Sequence, residues 1–151
     1  MRNIKAIAHG KFFRLVLTEE GRIYWNGQSR KYMFGMGGSG TARVEGFHEM
    51  ENNYFRIEDG DKLMDVAGGR NQAIVATERG KIYATSYMFY RHFSECRHNS
   101  ENNEDYPFEL RMPEGFKAKK IYSSEKHYNI WVTGEDTDGN KKTFGAGQSC
   151  D

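Results

Sequence analysis

The sequence is poor in proline and cysteine, and both scarcities narrow the class of protein. Only 2 of its 151 residues are proline, and its 2 cysteines, Cys96 and Cys150, lie far apart. Such a pair does not make a disulfide framework, which favours a reducing compartment. We therefore expect an intracellular protein, either cytoplasmic or nuclear.

The sequence also lacks any long hydrophobic run. No stretch approaches the about 18 apolar residues of a membrane-spanning helix, and the mean hydropathy is -0.84. The amino-terminal stretch has neither the apolar core nor the small-residue cleavage site of a secretory signal. Its first charged residues are all basic, at Arg2, Lys5, Lys11 and Arg14. A mitochondrial address therefore stays open as an alternative, although the stretch is more typical of a strand, and we expect no membrane partner.

The charge balance excludes a strong attraction to polyanions over the whole surface. Lys and Arg total 22 against 21 for Asp and Glu, which gives a net charge of +1. A protein that binds nucleic acid through its overall charge is far more basic than this. The basic stretch "KAKK" at 117–120, near Arg111, is more typical of a solvated edge strand. Nucleic acid is therefore not an expected partner.

Glycine and aromatic residues are abundant, and they occur in a repeated pattern. The chain has 17 glycines and 14% aromatic residues, a composition typical of strands and tight turns. Three segments align, at 7–27, 66–86 and 121–145. Gly10 aligns with Gly69, and "TEEG" aligns with "TERG" at the same offset of 59 residues. A repeat of this length with several short strands predicts a propeller-like array.

Each repeat has the physical pattern of a β-hairpin. A β-prone run such as "RLVLT" or "AIVAT" is followed by a short turn that ends in glycine and by a second strand, "RIYW" or "KIYA". The apolar runs are continuous instead of alternating, which predicts strands covered on both faces. The predicted core positions are Leu15, Leu17, Ile23, Ile74, Val75, Ile82, Ile130 and Val132.

The first two repeats, "IAHG…LVLTEEGRIYW" and "VAGG…AIVATERGKIYA", resemble the regulator of chromosome condensation repeat. That family builds a β-propeller of seven blades, so the resemblance implies a propeller here. The third repeat departs from the pattern, because Ser123 and Ser124 replace the glycine corner and the turn "TGEDTDGN" is longer. It has the family's histidine, at His127, where the first two repeats have Phe13 and Gln72.

We therefore predict an all-β fold, a partial β-propeller of about three blades built from repeated hairpins. The chain is assigned to a single repeat domain over 1–151, with blade cores near 4–27, 63–86 and 118–146 and loop insertions at 28–61 and 87–116. Three blades are too few to close a ring, because propellers have about four to eight. Three alternatives stay open: a fragment of a longer protein, a subunit whose open faces are covered by another copy or another protein, or a three-blade structure that stands alone.

The stretch "FGMGGSG" at 34–40 contains the spacing of a phosphate-binding fingerprint. A dinucleotide site also needs a strand before these glycines and a helix that begins at them, and no strand–helix alternation is present. The Gly-Lys-Ser/Thr of a P-loop is absent as well. The resemblance instead implies a structural turn here, since the family places a glycine-rich turn after each hairpin. We expect no cofactor.

Two groups of residues resemble metal sites without completing one. "RHFSECRH" offers His92, Cys96 and His98, but a structural zinc site needs four ligands, so only His127 or Cys150 could complete it. We expect a solvated loop instead. "DTDGN" at 136–140 resembles the start of a calcium loop, but the required glycine and glutamate positions hold lysine and glycine. An Asp-Gly hairpin turn is the better interpretation.

No catalytic grouping is recognisable in the sequence. The G-x-S-x-G nucleophile elbow is absent, and the paired acids Glu19–Glu20 and Glu135–Asp136 fall in predicted turns. We therefore predict no catalytic, cofactor-binding or metal-binding residues and no enzymatic activity. The sequence singles out no partner-binding residues.

The predicted function is a non-catalytic protein-interaction or scaffold module, part of a larger chain or of an assembly of several subunits. Its protein partners would cover the open blade edges or dock on loops such as 91–115. The resemblance implies an alternative, guanine-nucleotide exchange on a small GTPase. It also implies a third possibility, a regulatory propeller joined to a kinase or ubiquitin-ligase domain in a longer chain.

Overall fold

A computed structural model describes residues 2–30, 34, 41–51, 53–70, 72–86, 107–124 and 129–146. Within these ranges the chain forms eleven strands and no helix. The strands are β1 (Ile4–His9), β2 (Phe13–Thr18), β3 (Ile23–Arg30), β4 (Thr41–Glu49), β5 (Leu63–Gly68), β6 (Gln72–Thr77), β7 (Ile82–Ser86), β8 (Phe108–Glu109), β9 (Lys117–Ser123), β10 (Ile130–Glu135) and β11 (Lys141–Ala146).

The strands form three antiparallel sheets, and each sheet is one blade. Blade 1 has the order β1-β2-β3-β4, blade 2 has β5-β6-β7-β8, and blade 3 has β9-β10-β11. Every hydrogen-bonded neighbour is also the next strand in the chain, so each blade is a simple meander. The first strands of successive blades, β1, β5 and β9, lie side by side. The prediction of an all-β partial propeller of three blades is confirmed.

The repeated "TEEG" and "TERG" sequences form the β2–β3 and β6–β7 turns. The hydroxyl of Thr18 accepts a hydrogen bond of 3.2 Å from the backbone amide four residues later, and that of Thr77 accepts the equivalent bond at 3.1 Å. Gly21 and Gly80 have φ values of 82° and 86°, a left-handed conformation that glycine adopts without steric cost. We call the side of the molecule with these turns the lower side. The turn between β1 and β2 lies at the opposite end of the strands, on what we call the upper side.

The glycine corner before the second strand of a blade is fixed by packing. A Cβ atom on Gly10 would overlap the ring of Phe13, and one on Gly69 would overlap the side chain of Gln72. In both repeats, therefore, the side chain three residues later occupies the space above the glycine. The amide of Lys11 donates a hydrogen bond of 3.0 Å to the carbonyl oxygen of Gly69, which links blades 1 and 2 at their upper side.

Two hydrophobic cores lie between neighbouring blades. We call the face of a blade toward the next blade in the chain its forward face, and the opposite face its backward face. The first core packs the forward face of blade 1 on the backward face of blade 2, and it includes Leu15, Leu17, Trp25, Val66, Ala73 and Val75. The second packs the forward face of blade 2 on the backward face of blade 3, and it includes Ile74, Ala76, Ile82, Ile121, Ile130 and Val132.

Strand β6 shows how the sequence produces this arrangement. All six of its residues are buried. Ala73 and Val75 belong to the first core, while Ile74 and Ala76, which point to the other face, belong to the second. The prediction of a strand covered on both faces is confirmed. The eight predicted core positions are also all buried: Leu15, Leu17, Ile23, Ile74, Val75, Ile82, Ile130 and Val132.

The structure differs from the predicted loop insertions in two places. The segment 28–61 contains the nine-residue strand β4, and 87–116 contains the short strand β8. The sequence of β4 conceals a strand because its exposed residues are mostly polar, and because Gly46, with a φ of 72°, interrupts the regular pattern. The remaining division of the chain, including the single repeat domain over 1–151, stays a prediction.

Candidate protein-interaction surface

Each end blade has one face on which no other described blade packs, although Val16 and Thr18 on the face of blade 1 are themselves buried. These faces are the backward face of blade 1 and the forward face of blade 3. The exposed large hydrophobic side chains of the described residues are Ile4, Ile7, Phe47, Tyr122 and Trp131. Strand alternation places the first three on the open face of blade 1 and the last two on the open face of blade 3.

The strand registers show which positions these residues occupy in the repeat. Ile7 pairs with Val16, just as Val66 pairs with Val75 and Ile121 with Val132. Ile7, Val66 and Ile121 are therefore equivalent. Val66 and Ile121 are buried against the preceding blade, whereas Ile7 is 64% exposed. Ile7 thus lies at a position that packs between blades wherever a preceding blade is present.

Trp131 occupies the corresponding position on the other open face. It pairs with Tyr122, as Leu15 pairs with Ala8 and Ile74 with Ala67. The side chains of Leu15 and Ile74 are buried against the following blade, whereas Trp131 is 51% exposed. A large aromatic side chain therefore stands at a position that is buried between blades elsewhere in the chain.

The ring of Trp131 lies across the neighbouring strand. Its partner on β11 is Gly145, and a Cβ atom there would be 2.8 Å from the indole ring. Blade 1 has the opposite arrangement, since Leu15 pairs with the larger Trp25. The indole therefore covers the space that a side chain on β11 would take. Beside it, the ammonium group of Lys120 lies 5.9 Å from the ring centre of Tyr122.

The open face of blade 1 is basic toward its upper side. His9, Arg14 and Asn26 form one cross-strand row on β1, β2 and β3. A groove of 520 Å³ opens there, lined by His9, Arg14 and Arg43 and by one acidic residue, Glu45. The groove thus has a concave shape and an excess of positive charge.

The lower side of blade 2 has a different character, because its charges are paired. Glu58 accepts a hydrogen bond from the ammonium group of Lys81 and lies 3.7 Å from Arg79, and Glu109 lies 3.8 Å from Lys81. The bond from Lys81 to Glu58 raises the pKa of Lys81, and burial raises the pKa of nearby Tyr83. Exposed pairs of this kind contribute about 0–1 kcal/mol each, so the network orients side chains more than it stabilises the fold.

The residues considered as metal ligands in the sequence, His92, Cys96, His98, His127 and Cys150, all lie outside the described residues. So do 35–40 of the glycine-rich stretch. Within the described ranges, no group of three or more His, Cys, Asp or Glu residues could hold a metal ion. The paired acids Glu19–Glu20 lie in a turn, as predicted, and so does Asp136, but the prediction was wrong for Glu135, which is the last residue of β10 and pairs with Lys117 and Lys141. The lysines of 117–120 lie on β9, an edge strand, and Ala118 among them is buried.

The turn at 136–140 is an Asp-Gly hairpin turn, which confirms the interpretation from sequence. The carboxylate of Asp136 accepts hydrogen bonds of 2.9 Å from the amides of Asp138 and Asn140, and Gly139 has a φ of 80°. These bonds, chiefly those from Asn140, lower the pKa of Asp136. The carboxylate is therefore used within its own turn.

Comparison with solved structures places this fold among known propellers. Human WBSCR16 superimposes with a TM-score of 0.67 at 16% identity, over 97% of this chain and 36% of WBSCR16. Prp20p from Saccharomyces cerevisiae gives 0.57 at 16% identity, over 93% of this chain and 31% of Prp20p. Yeast RCC1 (Prp20) bound to Kap60 gives 0.57 at 15% identity, with the same coverage. The chain therefore has the fold of an RCC1-type β-propeller, over three blades.

The chain spans about a third of the length of these structures. At this level of identity the likeness concerns the fold alone. No protein-family model matches the sequence, and no curated protein matches it. In the described part of the chain, no helix is long and apolar enough to cross a membrane.

The sequence did not single out Ile7 or Trp131 as surface residues. Both occur in β-prone apolar stretches, and in such stretches the sequence alone does not distinguish a buried side chain from an exposed one. The signal that could have found them is the repeat alignment itself. It places Ile7 at a backward position of the first repeat and Trp131 at a forward position of the last, and neither repeat has a neighbour on that side in this sequence.

Proposed function

We propose that this chain is a non-catalytic protein-interaction module, and that its partners bind the open faces of blades 1 and 3. One observation carries the proposal. Ile7 and Trp131 are exposed at positions where the equivalent residues, such as Val66 and Ile74, are buried between blades. A surface already shaped to receive a neighbouring sheet is best suited to a protein ligand.

The energetics of the open faces favour a covered state. Full burial of a large apolar side chain stabilises a complex by about 1.5–3 kcal/mol. Contiguous apolar patches on a sheet with unpaired edges are also a hazard, because they promote aggregation when they are left uncovered. The two faces, with Ile4, Ile7 and Phe47 on one and Tyr122 and Trp131 on the other, therefore make protein binding the function that fits best.

Two of the similar structures support a protein as the ligand. The study of Prp20p concerns its binding to Gsp1p and histones, and yeast RCC1 (Prp20) is seen bound to Kap60. From these two structures we infer for this chain only the class of its ligand, which is a protein. The scaffold role, the intracellular location and membership of a larger assembly are parts of the same proposal.

Affinity purification of the tagged chain from its own source tests the proposal. The variant Ile7→Asp/Trp131→Asp places a charge on each open face, and Thr137→Asp places one on an exposed turn as the matched control. We expect the wild type and the control to retain the same partners and the double variant to lose them. Equal recovery of partners by the folded double variant would show that binding does not use these faces.

Guanine-nucleotide exchange on a small GTPase is the second candidate. It is favoured only by the likeness to Prp20p, for which binding to Gsp1p is described. Exchange would need a loop that projects into the nucleotide pocket of the GTPase, and most of 91–115, the sequence's one candidate for such a loop, lies outside the described residues. A nucleotide-release assay against a panel of small GTPases separates the two candidates. We expect no acceleration by this chain, and acceleration would favour the exchange factor over the scaffold.

A further inference from the structure

We propose that a cleft between blades 1 and 2, on the lower side of the molecule, binds a lysine or arginine side chain of a partner protein. We call it the lower cleft. The β2–β3 turn, the end of β4 and the connection from β4 to β5 line it, and its volume is 340 Å³. Because it lies between two blades and not on the open faces, the inference goes beyond the proposed function. It shares with that function only the class of ligand, a protein.

The lower cleft combines an apolar floor with acidic residues. Met50, Phe55 and Leu63 line it and belong to the first core. Arg22 is the one basic residue among the described residues that line it, against five acidic ones: Glu49, Glu51, Glu58, Asp59 and Asp61. A concave, largely apolar site with a few charged groups is typical of ligand-binding clefts. The excess of negative charge here favours a cationic ligand.

Part of this negative charge is not neutralised within the chain. Glu49 lies 3.3 Å from the guanidinium group of Arg22, and Glu58 pairs with Lys81. The other three acidic residues take part in no ion pair within the described ranges: Glu51, Asp59 and Asp61. A bound cation would therefore meet carboxylates that have no basic partner of their own.

Asp61 is the residue of the cleft that points most directly to a ligand. Its side chain is buried, at 8% exposed, and Oδ1 accepts hydrogen bonds from the amides of Lys62 at 2.8 Å and Arg79 at 3.1 Å. Oδ2 is buried as well and has no hydrogen-bond partner among the described residues. A buried carboxylate oxygen without a donor is costly to the fold. A donor from a ligand in the lower cleft would remove that cost.

The chemistry of the cleft identifies the kind of cation. Lysine and arginine carry their charge on an apolar stem, which can pack on Met50 and Leu63 while the head group donates to Asp61. Hydrogen bonds between such head groups and carboxylates are among the strongest in proteins. The acidic residues of the described part of the chain form no group that could hold a metal ion. A basic side chain therefore fits the cleft better than a metal ion does.

The test is the dissociation constant of a fluorescently labelled, arginine-rich peptide for the purified 151-residue chain, measured by anisotropy. Asp61→Asn removes the charge and keeps an oxygen that can accept the two bonds made by Oδ1. We expect it to raise the dissociation constant about ten- to hundredfold, the value of a hydrogen bond to a charged group. Asp138→Asn makes the same change in an exposed turn of blade 3 and should leave the constant unchanged.

A second peptide, with citrulline in place of arginine, separates charge from shape. Citrulline has nearly the shape of arginine and no charge. We expect the citrulline peptide to bind the wild type weakly and to bind Asp61→Asn equally weakly. Citrulline and arginine peptides that bind the wild type equally tightly would overturn the inference.

A second variant keeps the inference testable if Asp61→Asn fails to fold. Glu51→Gln/Asp59→Asn changes two exposed residues of the cleft, so it should melt at the same temperature as the wild type. We expect it to raise the dissociation constant of the arginine-rich peptide about two- to fivefold, as exposed charge pairs do. An unchanged constant in this variant, or in folded Asp61→Asn, would overturn the inference.

The variant Ile7→Asp/Trp131→Asp distinguishes a failure of this inference from a failure of the proposed function. It leaves the lower cleft intact and should bind the arginine-rich peptide as the wild type does. If the wild type does not bind the peptide and this variant still loses the protein partners, the inference fails and the proposed function stands. If peptide binding depends on Asp61 and this variant keeps its partners, the inference stands and the role of the open faces fails.

Discussion

Single glycines determine how closely the blades of this protein approach each other. Gly69 has no room for a Cβ atom, because Gln72 and the hydroxyl of Ser123 from blade 3 occupy the space. Gln72 also donates a hydrogen bond of 3.3 Å to Ser123. The corner of blade 2 and the first strand of blade 3 are therefore packed around one position that only glycine fits.

The side chain of Gln72 should therefore determine the cost of a substitution at Gly69. We expect Gly69→Ala to lower the free energy of unfolding by about 1–3 kcal/mol, the usual cost of overpacking. In Gly69→Ala/Gln72→Ala the two effects should be less than additive by about 0.5–3 kcal/mol, because removal of Gln72 frees the space. Denaturant unfolding of the four chains in the cycle measures this, and strict additivity would contradict the packing account.

Asp136 should make a pH-dependent contribution to stability. Hydrogen bonds from backbone amides lower its pKa below the ordinary value of 3.8 in the folded state. The ionised carboxylate therefore stabilises the fold above the unfolded pKa, and this contribution is lost as pH falls through the folded pKa. We expect Asp136→Ala to lower the melting temperature at neutral pH and to matter less in strong acid. Asp138→Ala, in the same turn, is the matched control, and a difference from wild type that does not change with pH would refute the assignment.

At the scale of the element, the second strand of each blade supplies the central contacts of the cores. Strand β6 is buried on both faces because blades lie on both sides of it. Among the described residues, strand β2 in blade 1 and β10 in blade 3 each have a neighbouring blade on one face. The outer face of a second strand is therefore buried where another blade packs on it and exposed to solvent where none does.

A matched pair of isoleucine substitutions tests this difference. Ile74 is fully buried and Ile7 is 64% exposed. We expect Ile74→Ala to lower the free energy of unfolding by about 2–5 kcal/mol, the cost of a core cavity. Ile7→Ala should change it by about 0.5 kcal/mol or less in dilute solution, where the chain is monomeric. Similar losses for both variants would mean that Ile7 is covered within the single chain.

Sequence patterns predicted some of these elements and missed others for physical reasons. Strands β2 and β6 could be predicted because their continuous apolar runs, each followed by a turn that ends at Gly21 or Gly80, are typical of a buried hairpin strand. Strand β4 was assigned to a loop insertion, because a half-exposed strand with polar residues and a bulge has no such signal. The open faces were expected, but Trp131 was not identified on one, because exposure depends on which blade lies next to a strand.

At the scale of the whole molecule, the described residues form three blades with two interfaces between them, and no described blade packs on the outer face of either end blade. The chain resembles part of a propeller, and it spans about a third of the solved structures that share its fold. The open faces have the residue types of the internal interfaces, with aromatic and basic residues added. We therefore propose that these faces bind protein, and that the chain works as part of a larger chain or of an assembly of several subunits.

Native mass spectrometry of the protein from its own source tests this claim most directly, because it reports the mass of the chain and of its assembly together. We expect a particle heavier than the 17.5 kDa of these 151 residues, formed either by a longer chain or by at least two chains. The variant Ile7→Asp/Trp131→Asp should dissociate that particle, and Thr137→Asp should leave it intact. An isolated particle of 17.5 kDa, with no other chain bound, would contradict the proposal.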